Sequence, residues 1–224
     1  WGGAVMVDVT GSTVEFRAAE KDVVVAGNTA GDAGSFTGKL YDGYTGGFLH
    51  LKGATTADFD IAEGRTMTIG QAGSAATRNL DSITSSDSSA VITKTGEGSL
   101  VVNSNTQAFA GKFNVSAGSV EMATGIGEYQ IKPDAQAAFT VADHASAKIG
   151  TITGGKTTYT NNGELTIDTL HFTKDHALAF MNNDVLTIGA VVVDEDAKAD
   201  FQREMIFPIG EPNTAYAQYF IGNS

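Results

Sequence analysis

The chain is 224 residues long, with 26 acidic against 14 basic side chains, a formal net charge of −12, 27 glycines, three prolines and no cysteine. The missing cysteines exclude disulfide scaffolds, zinc–thiolate sites, iron–sulfur clusters and cysteine nucleophiles, and an acidic surface repels the phosphates of a nucleic-acid partner. An apolar share of 42% suffices for a core, so the composition reads as an all-β protein rather than a disordered chain.

Strand-like alternation begins at the first residues. Val5, Val7 and Val9 share one face, and Val14, Phe16 and Ala18 alternate with Thr13, Glu15 and Arg17. Residues 27–48 follow as a Gly- and aromatic-rich N-terminal section, in which Phe36, Tyr41, Tyr44 and Phe48 are set among seven glycines; such a stretch turns repeatedly, because Gly tolerates positive φ. The polar run Ser82 to Ser89 reads as a loop or an outer wall. Near the end, Asp194 to Phe207 reads as one short helix: Asp194, Glu195 and Asp196 suit a helix N-terminus, Ala197, Phe201 and Met205 recur at four-residue spacing, and Pro208 stops the run. A polar turn followed by a strand fits the same residues. The whole reads as a single elongated domain over 1–224, with 194–224 as a C-terminal cap or extension. No run of eighteen apolar residues exists, so no transmembrane helix is expected. Trp1 in place of Met is expected of a processed or excised form.

The strongest internal signal is a recurring fragment. Gly64 to Gly70 (with Met67 and Ile69), Gly98 to Val102 (Leu100), Gly118 to Met122 (Val120), Gly163 to Ile167 (Leu165) and Asp184 to Gly189 (Leu186, Ile188) each place a turn residue before two apolar positions separated by one other residue. The step from Gly98 to Gly118 is 20 residues and that from Leu165 to Leu186 is 21, and Phe139 and Val141 fall roughly where another copy is due. A strand period of this length signals a solenoid. One rung cannot bury its apolar face alone, whereas stacked rungs share a continuous core. Roughly ten rungs, at about 4.8 Å each, make a rod of about 50 Å. A β-sandwich, whose strands also recur regularly, is the alternative.

Residues Gly96 to Met122 resemble the autotransporter-associated β-strand repeat of bacterial type V passenger domains. Gly96, Gly98, Leu100, Val102, Asn105, Thr106, Phe109, Gly111, Val115, Gly118 and Val120 occupy that repeat's positions. The departures are an insertion at Gln107 and Ala108, Ser104 in place of Gly, and Phe109 in place of Tyr. The match covers 27 residues, and the other fragments echo it. The resemblance implies a right-handed parallel β-helix at the cell surface or outside a Gram-negative cell, commonly adhesive or aggregative. Such proteins end in a membrane barrel of about ten or more strands, for which this length leaves no room beside the rod, so the chain reads as a passenger fragment or a free extracellular subunit.

The residues that bear chemistry do not converge in the sequence. His171 and His176 lie five apart, on opposite faces of a strand, and read as solvent-facing turn residues; no metal or cofactor is expected. The cluster Asp194, Glu195, Asp196 and Asp200 lacks a calcium-loop spacing. Gly125-Ile126-Gly127 lacks the rest of a dinucleotide fingerprint. A carbohydrate-active enzyme would draw on Asp58, Asp60, Asp168 and Asp184, but no Arg or Lys is placed opposite them by the sequence, and a non-catalytic role is the first reading. Phe36, Tyr41, Tyr44 and Phe48 are the candidate recognition surface for host or matrix glycans and proteins, or else a cap on the coil. Val5, Val7 and Val9 at one end and Tyr216, Tyr219 and Phe220 at the other are candidates for self-association by strand addition, as in an extracellular filament or sheath subunit.

Overall fold

The computed structural model describes residues 5–29, 47–76, 80–128, 136–174 and 178–197. They wind into seven stacked rungs. Rung 1 holds β1 (Val5–Val7), β2 (Thr13–Ala18) and β3 (Val23–Val25). Rung 2 holds β4 (Leu49–Leu51), β5 (Thr56–Ile61) and β6 (Thr66–Ile69), and rung 3 holds β7 (Ile83–Thr84), β8 (Val91–Thr95) and β9 (Ser99–Val102). Rung 4 has β10 (Lys112–Val115) and β11 (Ser119–Thr124), with one bridge from Ser85 to Phe109 where a third strand would lie. Rungs 5 to 7 hold β12 (Ala137–Val141) with β13 (Ser146–Thr153), β14 (Thr157–Asn161) with β15 (Glu164–Phe172), and β16 (Ala179–Asn182) with β17 (Val185–Val193).

Each strand pairs in parallel with its counterpart one rung away, giving a first sheet β1-β4-β7, a second β2-β5-β8-β10-β12-β14-β16 and a third β3-β6-β9-β11-β13-β15-β17. Parallel neighbours need a crossover between them, and here the rest of the rung supplies it. The chain is therefore a parallel β-helix, not a sandwich. The described residues hold seven rungs, and the remainder of the chain on which the expectation of roughly ten was reckoned lies outside them.

Side-chain parity explains the core. Along the second sheet the inward column runs Val14, Ala57, Ile92, Phe113, Phe139, Tyr159, Phe180. Its rings lie 5.4 Å (Phe113–Phe139), 5.8 Å (Phe139–Tyr159) and 5.1 Å (Tyr159–Phe180) apart. Full burial of one such ring contributes roughly 1.5–3 kcal/mol. Along the third sheet the columns from Val23 to Leu186 and from Val25 to Ile188 hold only aliphatic residues and methionine.

Five of the seven strands in that sheet are the recurring fragments of the sequence. The missing copy is not at Phe139 and Val141, which belong to the second sheet. It is Ser146 to Ile149, where Ala147 takes the place of the usual larger aliphatic. Glycine marks the short corner before these strands for a packing reason. A Cβ on Gly98 would stand 2.3 Å from the Ala62 carbonyl oxygen, and one on Gly118 2.4 Å from that of Gly98.

At the C-terminal end, the described part of the expected helix is one 3₁₀ turn, Glu195–Ala197, closed by the Ala197 N–H on the Asp194 carbonyl at 3.0 Å. Residues 198–207 lie outside the described residues. Val9 lies beyond β1 and is 66% exposed, so the alternation of the first strand ends at Val7.

Candidate functional site

The connections of the coil divide sharply by length. Between the second and third sheets the chain turns in two to four residues in every rung, whereas the stretches that leave the third sheet run over 26–48, 70–82, 103–111 and 125–136 in rungs 1 to 4 and shorten to 154–156 and 173–178 in rungs 5 and 6. The long insertions therefore occupy one connection of the repeat, and their bases hydrogen-bond one to the next. The Ile83 N–H donates to the Asn105 carbonyl (3.1 Å), the Asn105 amide to the Ala75 carbonyl (3.2 Å), and the Thr106 hydroxyl to the carbonyls of Thr124 and Gly125 (3.0 Å each). Residues lining one edge of a solenoid in this way are a common place for binding.

Beneath the insertions lies a seam of buried polar groups. His50 and Thr84 meet across β4 and β7, Nδ1 to Oγ1 at 2.9 Å, and burial lowers the imidazole below its usual range. Gln107, the inserted residue of the repeat, donates its amide to Glu128, whose other oxygen accepts the Thr153 N–H at 2.9 Å. Burial pushes the Glu128 carboxyl up to about 7 against these hydrogen bonds. Next to it, Tyr159 is fully buried and its hydroxyl is pushed well above the usual tyrosine range by that burial. No group of three or more His, Cys, Asp or Glu side chains that could hold a metal ion is present among the described residues.

A second polar device sits in the core of rung 3. Lys94 faces inward in the column between Phe59 and Val115, and it is fully buried. Its ammonium donates to the carbonyls of Thr95 (2.9 Å), Gly96 (2.7 Å) and Ala117 (3.0 Å), joining the short corners of rungs 3 and 4. Burial lowers it to about 8, while Glu97 and Asp60 act in the opposite direction.

The residues singled out from the sequence are distributed as follows. Phe36, Tyr41 and Tyr44 lie outside the described residues, as do Tyr216, Tyr219, Phe220 and His176. Phe48 is 2% exposed and its ring packs on Phe16 at 5.1 Å, so it belongs to the core and offers no recognition surface. Val5 and Val7 do lie on an edge strand among the described residues, since β1 pairs only with β4 there. His171 is not a solvent-facing turn residue. It lies on β15, with Nε2 2.8 Å from an Asp194 oxygen brought from the next rung.

The four aspartates do not form the array an enzyme reading asks for. Asp58 and Asp60 lie on the outer face of β5, and Asp60 has Arg17 3.6 Å away on β2, a basic partner that sequence spacing does not reveal. Asp168 pairs with Lys148 at 3.2 Å. Asp184 stands in the turn before β17 and Asp168 within β15, at different register positions. The outer face of the third sheet also forms a shallow groove of about 450 Å³, lined by Ser99, Ser119, Ser146, Glu121, Lys148 and Glu164 among others.

No protein-family model matches the chain, and no solved structure matches it. Among known proteins, the chain is similar to the probable autotransporter YfaL of Escherichia coli (strain K12), with 31% identity over 150 residues. The match covers 65% of this chain and 11% of that protein, so the chain spans a small part of its relative's length.

Proposed function

We propose that the chain is a passenger-type segment displayed at the surface of, or released from, a Gram-negative bacterium, and that it is a non-catalytic coil presenting insertions to host or matrix glycans and proteins. The observation that carries this reading is that, among the strands described, the long connections all leave the third sheet. The similarity to a probable autotransporter supports the location and the passenger character, and the repeat read in Gly96 to Met122 supports the same assignment. The non-catalytic part is supported by the four aspartates, which lie outward or in a turn, two of them beside basic partners.

A printed glycan array and immobilised matrix proteins, probed with the purified chain, test the reading. A variant with residues 30–46 replaced by a short Gly-Ser linker keeps the unfolding transition of the parent and loses its binding. Full binding by that variant overturns the presenting role. Turnover of any glycan that is abolished by Asp60→Asn or Asp168→Asn overturns the non-catalytic part.

One observation favours a second reading, a filament subunit. In rung 7 the in–out alternation fades: Met181, Val185 and Val192 are outward and 55%, 43% and 44% exposed, where rung 6 has Thr160, Glu164 and His171. Strands apolar on both faces are the kind that sheets bury, and β16 and β17 end their sheets among the described residues. Negative-stain microscopy separates the two, since strand addition yields fibres and monodisperse particles remove it.

A further inference from the structure

Both ends of the 30–46 insertion are held by two consecutive residues of the following insertion. Asp81 is fully buried. One carboxylate oxygen accepts the Gly27 N–H at 2.9 Å; the other accepts the Asn28 N–H at 2.7 Å and the Asn28 side-chain amide at 3.0 Å. Ser82, also fully buried, accepts the Gly47 N–H on its hydroxyl at 2.9 Å and the Phe48 N–H on its carbonyl at 3.1 Å. The first end leaves rung 1 and the second arrives at rung 2, while Asp81 and Ser82 stand just before β7 of rung 3.

The arrangement has the marks of a built device. A buried carboxylate without partners is strongly unfavourable, and here three N–H donors meet it. Two of them are successive backbone groups at a glycine with φ +84°, a turn that forms a small anion cup. Asp81 itself takes φ +49°, a region that Asp and Asn tolerate better than other residues with a side chain. A neutral apolar residue at 81 would meet neither condition.

We propose that Asp81 and Ser82 form a clasp that locks residues 27–28, where the chain leaves rung 1, and residues 47–48, where it enters rung 2, to the base of the following connection, so that the bases of the two connections are anchored as one unit. Its purpose as support for a recognition surface rests on the presenting role proposed above; the clasp itself does not. Asp81→Asn keeps the size and the backbone preference but turns an amide toward the Gly27 and Asn28 N–H groups, and Ser82→Ala removes the acceptor for Gly47.

The test is residue-resolved amide exchange on the full chain, with chymotryptic nicking after Phe36, Tyr41 and Tyr44 as a second readout. In Asp81→Asn the Gly27 and Asn28 amides exchange at least about tenfold faster, as a loss of one to two charge-assisted hydrogen bonds requires. In Ser82→Ala the Gly47 amide does so. Nicking accelerates in both, and the amides of β13 and β15 are unchanged. Unaltered exchange at Gly27 and Asn28, or an equal rise in β13 and β15, overturns the clasp: the first shows no hold and the second a general loss of stability. Full binding by the linker variant, which overturns the presenting role, together with faster exchange at Gly27 and Asn28 in Asp81→Asn leaves the clasp standing, so the two ideas fail separately.

Discussion

Lys94 gives the sharpest test of the energetic reasoning, because its burial has a signed consequence. An ordinary lysine titrates near 10.5, and this one is lowered to about 8 in the folded chain. Between those values the unfolded chain binds more protons at this site than the folded one, so stability rises with pH across the window. The full shift corresponds to about 3 kcal/mol, and the part realised between pH 8 and 10 to about 2 kcal/mol. Below pH 8 the buried ammonium carries its whole desolvation penalty, offset by three carbonyl acceptors. The assay is urea unfolding of the parent and of Lys94→Met at pH 7, 8, 9 and 10. Other groups titrate in the same range, so the quantity read is the difference between the two proteins. We expect the parent to gain about 2 kcal/mol relative to Lys94→Met between pH 8 and 10. Parallel pH profiles would refute the buried, inward placement of this lysine, as would a parent that loses stability relative to the variant.

Glu128 is expected to act with the opposite sign. Its folded value of about 7 lies above the ordinary 4.5, so its contribution is fully present below pH 4.5 and is lost as pH rises to 7. Relative to Glu128→Gln, the parent loses up to about 3 kcal/mol over that range, and matching denaturation profiles for the two contradict the burial of the carboxyl. The corner glycines separate packing from backbone preference. Gly98→Ala brings a Cβ to 2.3 Å and 2.6 Å from the Ala62 and Arg65 carbonyl oxygens, and about 3 kcal/mol or more of stability is lost. Gly64→Ala, at φ +68° with open space around it, loses about 1 kcal/mol. Equal melting shifts for the two glycine variants show that stacked backbone contact is not what selects Gly98.

The fold was legible where the information is local. Strand parity at Val14, Phe16 and Ala18 and the fragments around Leu100, Val120 and Leu165 state which side of a strand is apolar, and a period near 20 residues states that strands of one kind stack. Of the helix expected over 194–207, the described residues show its first turn as a 3₁₀ turn at Glu195–Ala197, and Phe201 and Met205, which carry the four-residue spacing, lie outside them. Phe48 looked like part of a surface because it closes a glycine-rich stretch. It starts the second rung instead, and its ring fills the core beside Phe16.

The candidate site was far less legible, because its contacts are long in sequence and short in space. Parity places Lys94 on the face of Ile92, but the third acceptor of its inward ammonium, the corner carbonyl of Ala117, lies 23 residues on. Asp60 gains Arg17 only through the pairing of β2 with β5 across the first insertion. Asp81 finds Gly27 and Asn28 across 54 and 53 residues.

By itself, then, the sequence determined the repeating unit: glycine at the corners, β-branched and aromatic residues inward, small polar residues outward, in rungs of nearly constant length where no insertion intervenes. The tertiary structure alone decided how the rungs of the described residues register and which insertion bases lie over one another, hence which buried polar groups find partners. The physical reason is that alternation and turn preference depend on neighbours along the chain. The partner of a buried carboxylate or ammonium depends on register between rungs, and each insertion shifts that register by its own length.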